Sequence, residues 1–90
     1  MNDRRYTVLL SPGAKRAIEH ELPASVAVAV VDFIFGPLAD DPYRVGKPLW
    51  CQLEGYWSAR RGQYRVIYSI HDEGIVVRVV RISHRAGVYG

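Results

Sequence analysis

Three consecutive strand-like runs in the second half of the chain constrain its fold more than any other feature. They cover residues 56–61, 63–70 and 75–82 and are rich in Val, Ile, Tyr and Arg. Gly62 separates the first two runs, and the turn-forming sequence His71-Asp72-Glu73-Gly74 separates the second from the third. Connections this short predict neighbouring antiparallel strands.

The first half of the chain predicts one short strand followed by two helices. Residues 6–10 favour a strand, and Ser11-Pro12 is typical of a helix start, which predicts a helix over residues 12–22. Residues 25–35 alternate like a strand, but their length and one-face apolar spacing favour a second helix. The side chains expected to face the core are Ala14, Ala17, Ile18, Leu22, Val26, Val30, Phe33 and Ile34. Residues 41–48 are predicted to be a connecting loop.

The order β-α-α-β-β-β predicts an α+β fold, in which two N-terminal helices pack on one face of a mainly antiparallel four-stranded sheet. Ninety residues, of which 49% are hydrophobic, support one modest core, so we expect residues 1–90 to form a single domain. The lone Cys51 cannot make an internal disulfide, and no signal peptide or membrane-length apolar run is present. We therefore expect a cytoplasmic protein.

The positive charge is concentrated in the sheet half of the chain, residues 55–90. This half carries six arginines and two carboxylates, whereas residues 1–54 carry six basic and seven acidic side chains. Arginine forms bidentate contacts with phosphate, which makes an anionic partner the natural hypothesis. A genome that favours arginine codons would produce the same composition. Only the positions of these arginines in the fold can distinguish this explanation from an anionic partner.

Period-two alternation places Arg65 on the face of the middle strand opposite to Tyr64 and Tyr68. Helices on one side of a sheet leave its other face free. We expect a basic patch there, formed by Arg60, Arg65, His84, Arg85 and Tyr89.

These segments carry a resemblance to the RelE/ParE toxin superfamily. The matching elements are LEGYWSARRGQYRVIY at residues 53–68, VVRISHR at 79–85 and Val88-Tyr89. The terminal His-Arg and Tyr are more similar to RelE-type ribosome-dependent mRNA endonucleases than to ParE-type gyrase inhibitors.

The resemblance implies a toxin of a type II toxin–antitoxin module that inhibits translation by metal-independent cleavage of mRNA in the ribosomal A site. Such an enzyme must deprotonate a ribose 2′-OH, stabilise the phosphate and protonate the leaving oxygen. By the family pattern, Arg65 holds phosphate, Arg85 is a second phosphate contact or the proton donor, and Tyr89 stacks on or orients the nucleotide. Lys47, Arg60 and Arg61 are expected to contact RNA backbone. No cofactor and no metal site is expected.

The general base has no direct counterpart of the family pattern in this chain. Some relatives carry two lysines where this chain has Ser58 and Arg60, and a guanidinium does not deprotonate near neutral pH. Histidine ordinarily titrates in that range, which makes His84 the substitute, although it could also be a surface histidine at a strand end.

The resemblance also implies partners and leaves alternatives open. A RelB-like antitoxin, mRNA and the 70S ribosome are the expected partners, operator DNA is reached only through the antitoxin, and no membrane contact is expected. Arg65 and Arg85 could instead pair with acidic side chains of the antitoxin. The alternative functions are a ParE-type protein that poisons DNA gyrase without cleaving RNA, and a decayed toxin that only binds its antitoxin.

Overall fold

The computed structural model of the chain describes residues 5–50 and 54–84. Helices form one layer and a mixed sheet forms the other. The elements are β1 Thr7–Leu10, α1 Pro12–Arg16, α2 Ala24–Phe33, α3 Pro42–Val45, β2 Lys47–Pro48, β3 Trp57–Arg61, β4 Tyr64–His71 and β5 Val76–His84. Two π-helical segments, Ala17–Glu21 and Ile34–Leu38, continue α1 and α2.

The sheet has the order β1-β5-β4-β3-β2, in which β1 is parallel to β5 and the other pairs are antiparallel. The predicted α+β fold is therefore confirmed. The predicted number of four strands is wrong, because Lys47 and Pro48 pair with β3 as a fifth. The segment predicted as a loop thus contains α3 and β2. A two-residue edge strand that includes proline has no alternating pattern to reveal it.

Helix α1 begins as its sequence predicts. The Ser11 hydroxyl accepts a hydrogen bond from the Ala14 amide at 3.0 Å, and Pro12 occupies the first helical position. The same hydroxyl donates to the Val80 carbonyl at 2.9 Å. Ser11 therefore caps α1 and ties it to β5.

The core lies between the helices and one face of the sheet. Val30 and Ile34 are buried on the helix side, and Val66 and Val77 are buried on the sheet side. The ambiguous valine-rich run is thus a helix, as its length indicated. Among the described residues, no helix has the length and apolar character needed to cross a bilayer.

The turn at Gly62 sets the register that positions the site. Its φ of +62° lies in the left-handed region that glycine adopts easily, so β3 reverses tightly into β4. Arg60 consequently lies opposite Arg65, while Arg61 lies opposite Tyr64. We call the sheet face that carries Ser58, Arg60, Arg65, Ile67, Arg81 and Ser83 the open face.

Candidate functional site

The open face brings basic side chains of three neighbouring strands together. Arg60 on β3 lies directly opposite Arg65 on β4, which in turn lies opposite Ser83 on β5. Ser58, which precedes Arg60 by two residues on β3 and shares its face, lies opposite Lys47 on β2. Neighbouring strands are about 4.8 Å apart, so these side chains share one small surface.

This surface lines a groove of about 580 Å³ between the sheet and the segment that runs from α3 into β2. The side chains that make the groove polar are Arg44, Lys47, Ser58, Arg60 and Arg65. Within residues 5–50 and 54–84, none of the side chains that line it is a carboxylate. The described lining of the groove is therefore cationic, which is the character that an anionic ligand would require.

Carboxylates are distant from the groove on the sheet. The two in residues 55–84, Asp72 and Glu73, lie in the turn between β4 and β5. Arg65 precedes Asp72 by seven residues, which is about 23 Å along an extended strand. Among residues 5–50 and 54–84, no carboxylate forms an ion pair with Arg44, Lys47 or Arg60. The described carboxylates therefore do not neutralise Arg44, Lys47 or Arg60 by ion pairing.

Two tyrosines hold the segment that forms the groove's outer wall. The buried Tyr68 hydroxyl donates to the Pro42 carbonyl at 2.7 Å, and burial raises the pKa of this phenol above its usual range, with a smaller contribution from the charge of Asp41. The Tyr43 hydroxyl donates to Asp72, and this hydrogen bond is the main reason that the pKa of Tyr43 is raised. Tyr43 also packs edge-on against Trp57, with ring centroids 5.3 Å apart.

Comparison with known proteins identifies the family. Residues 8–89 match the family model described as the ParE toxin of the type II toxin–antitoxin system parDE. The chain belongs to this ParE toxin family. The RelE/ParE resemblance inferred from the motifs is therefore confirmed.

Individual relatives of the family agree along nearly the whole chain. Toxin RelG of Mycobacterium tuberculosis is 49% identical over 84 residues, which cover 93% of this chain and 95% of that protein. Toxin RelE of the same organism is 44% identical over 88 residues, covering 98% of this chain and 90% of that protein. A chain in the crystal structure of the M. tuberculosis toxin–antitoxin complex RelBE2 superposes with a TM-score of 0.88 at 47% identity, covering 94% of this chain and 97% of that one.

Some of the site residues implied by the RelE-type resemblance lie together in the groove, and others do not. Lys47, Arg60 and Arg65 line it together. Arg61 points by register to the helix side, where it borders a shallow cavity beside α2. Arg85 and Tyr89 lie outside the described residues.

The structure places His84 beside Tyr64, and His84 is not among the described residues that line the groove. It pairs with Tyr64 across the sheet, and the two rings pack edge-on with centroids 5.0 Å apart. Ile82, two residues earlier on the same strand, is buried in the core, and alternation places His84 on that same side. This parity was readable in the sequence. The role of His84 as general base stays a prediction.

Arg44 is the groove residue that the sequence patterns missed. It lies in α3, inside the segment predicted to be a loop, and its side chain is exposed at the groove. The available signal was its spacing of three residues from Lys47. In residues 5–50 and 54–84, no group of three His, Cys, Asp or Glu side chains is arranged to hold a metal ion.

Proposed function

We propose that this toxin inhibits translation in the cytoplasm by cleaving mRNA in the ribosomal A site, without a metal ion. The observation that carries the proposal is the cationic groove in which Arg60 directly opposes Arg65. RNA presents phosphates in series, and arginine binds them through paired hydrogen bonds. The 44% identity to a protein named Toxin RelE is consistent with this mode of action.

Each polar residue of the groove has its own role in the proposed cleavage. Arg65 and Arg60 bind the scissile phosphate and stabilise the negative charge that increases when the ribose 2′ oxygen attacks phosphorus and the bond from phosphorus to the 5′ oxygen breaks. In the same step the 2′-OH proton passes to a general base and the leaving 5′ oxygen takes up a proton. Lys47 contacts a neighbouring phosphate from the outer wall, and Ser58 offers a hydroxyl between them. Cleavage through the 2′ oxygen restricts the substrate to RNA. Ribosomal RNA positions the mRNA and contributes the orientation that a small enzyme cannot supply.

The same groove requires a neutralising partner in the cell. We propose an antitoxin of the RelB type, with an acidic segment that covers Arg60, Arg65 and Lys47. The related RelBE2 structure from M. tuberculosis is that of a toxin–antitoxin complex, which supports such a partner here. Association through these charges should weaken as salt concentration rises.

Primer extension on mRNA in a purified translation system tests the proposed activity. Toxin treated with a chelator and returned to the ribosome buffer should cut the message within codons at the A site. Toxin with Arg65 changed to Gln should leave it intact, whereas Lys15→Gln, on the exposed side of α1, should cut normally. An uncut message with the untreated wild-type toxin would refute the proposal.

The family model favours a second candidate, because its description names the ParE toxin. A ParE-type protein poisons DNA gyrase and leaves mRNA whole. Adding the toxin to a gyrase supercoiling reaction separates the two functions. Inhibition of supercoiling together with intact mRNA would replace the RNA-cleaving function with the gyrase function.

A further inference from the structure

The outer wall of the groove is made of elements that cannot hold their own position. Helix α3 spans four residues, Pro42–Val45, and strand β2 spans two, Lys47–Pro48. Neither a single helical turn nor a two-residue strand is stable in isolation. Residues 42–48, called the wall segment below, must therefore be fixed by contacts with the rest of the fold.

Tyr68 supplies the contact at the beginning of the wall segment. Its side chain is 0% exposed, and its hydroxyl reaches through the core to donate to the carbonyl of Pro42 at 2.7 Å. Pro42 is itself buried. A buried hydroxyl and a buried carbonyl that satisfy each other define one position for the chain, because separation leaves both unpaired.

Gly46 supplies the contact near the end of the wall segment. Its φ of −134° and ψ of −173° are extended values that any residue adopts, so its conformation does not require glycine. The space around it does. A Cβ at this position would lie 2.1 Å from the Tyr68 hydroxyl oxygen and 2.9 Å from the Ser58 carbonyl oxygen. The absence of a side chain lets the wall segment lie directly against β3 and β4.

Arg44 lies between these two contacts. Pro42 is held two residues before it and Gly46 two residues after it, and Lys47 then pairs with Ser58 on β3. The backbone on both sides of Arg44 is thus fixed while its side chain is exposed at the groove. A cation held this way loses little backbone entropy when it binds an anion.

We infer that Arg44 is an additional contact for RNA phosphate, on the wall facing Arg60 and Arg65. Tyr68 and Gly46 are positioning residues, which hold the wall segment so that Arg44 and Lys47 face the sheet. This inference rests on the proposed RNA-cleaving function and extends it to Arg44, which lies outside the motif elements at residues 53–68, 79–85 and 88–89.

Single-turnover cleavage of mRNA on programmed ribosomes tests Arg44. With Arg44→Gln, the toxin concentration that gives half the maximal rate should rise about tenfold, as for a lost hydrogen bond to a charged group. The maximal rate should stay within about twofold, because Arg44 binds the RNA away from the reacting phosphate. The salt dependence of the half-saturating concentration should lose about one unit of slope. Lys15→Gln removes the same charge from α1 and should change none of these values.

A rescue experiment tests the positioning residues. Gly46→Ala should raise the half-saturating concentration at least as far as Arg44→Gln does. In a Tyr68→Phe background the more severe clash, with the hydroxyl oxygen, is gone, and the new Cβ still meets the Ser58 carbonyl oxygen at 2.9 Å and the ring carbon at 3.1 Å. Gly46→Ala should therefore cost less there than in the wild type. Strictly multiplicative effects of the two changes would overturn the positioning role.

The outcomes separate the two proposals. Wild-type toxin that leaves the programmed message uncut refutes the proposed function itself. Wild-type toxin that cuts, with Arg44→Gln indistinguishable from Lys15→Gln, refutes only the role of Arg44. Circular dichroism at the assay temperature establishes that each variant is folded, and exposed Arg44 can be tested even where Gly46→Ala unfolds the protein.

Discussion

Arg60 lies directly opposite Arg65 on the neighbouring strand, and the two guanidinium groups line the same groove. Like charges in directly opposite positions of an antiparallel pair destabilise a sheet. The folded chain nevertheless holds them together, in a groove whose described lining contains no carboxylate. If the groove binds RNA as proposed, this repulsion is a cost in stability that accompanies anion binding.

The opposed pair Arg60 and Arg65 predicts that Arg60→Gln increases the stability of the protein and weakens its binding to RNA. The free energy of unfolding should rise by about 0.2–1 kcal/mol, because the repulsion with Arg65 is removed. RNA binding should weaken, with about one unit less salt dependence. Urea denaturation and fluorescence anisotropy with a non-cleavable 2′-O-methyl RNA measure the two effects. Arg78→Gln is the stability control, since Arg78 lies opposite uncharged Ser69. A loss of stability in Arg60→Gln would contradict the repulsion.

Arg65 and His84 lie on opposite faces of the sheet, which predicts that their substitution lowers the cleavage rate to different extents. Arg65→Gln should lower the maximal rate by about a hundredfold or more, as expected when a group that stabilises developing charge is removed. His84→Gln should lower it far less, because His84 packs on Tyr64 away from the groove. Maximal cleavage rates of both variants and the wild type, measured between pH 5.5 and 8.5, test this prediction. An equal loss in both variants, with the acidic limb of the profile missing in His84→Gln, would establish His84 as the general base.

The double role of Ser11 predicts a loss of stability in Ser11→Ala. This change removes both the cap of α1 and the hydrogen bond to the Val80 carbonyl. The free energy of unfolding should fall by about 1–2 kcal/mol. Ser25→Ala in α2 is the matched control, since the cap position of that helix is Pro23 and has no side-chain hydrogen bond. Equal urea midpoints for the two variants would contradict the role of Ser11.

Burial of Tyr68 predicts how stability depends on alkaline pH. The pKa of this phenol is raised in the folded state, so its contribution is complete below the unfolded value of 10.0 and is lost as pH rises above it. At neutral pH, Tyr68→Phe should be less stable by about 1–3 kcal/mol, because the Pro42 carbonyl loses its partner. Above pH 10 this deficit should shrink by up to about 1.4 kcal/mol per pH unit. Urea denaturation of the wild type and of Tyr68→Phe, from neutral pH to above pH 10, measures this deficit in stability. A deficit that does not change with pH would contradict the raised pKa of Tyr68.

The fold was predictable to the extent that its elements have local patterns. The Ser11-Pro12 start of α1, the helical spacing of Val30 and Ile34, and the turn at Gly62 depend on neighbours in the sequence, and all three were correctly predicted. Segment 42–48 was not, because α3 and β2 are too short to produce a period and form only against Tyr68 and β3.

The candidate site was also predictable only where local sequence patterns determine it. Alternation alone put Arg65 on the open face, and the same parity, applied from Ile82, would have put His84 on the other. The partners of Arg65 across the sheet could not be read in this way. They depend on the strand register, which an irregularity between Ile67 and Tyr68 shifts.

The sequence by itself determined the family, the order of the elements and the concentration of arginine in residues 55–90. These properties are carried by local composition, spacing and motif. Only the tertiary structure decided which cations meet. Arg44 and Lys47 reach Arg60 and Arg65 because a buried tyrosine hydroxyl and a missing side chain at Gly46 hold a distant segment against the sheet. Such contacts between residues far apart in the chain leave no periodic trace in the sequence.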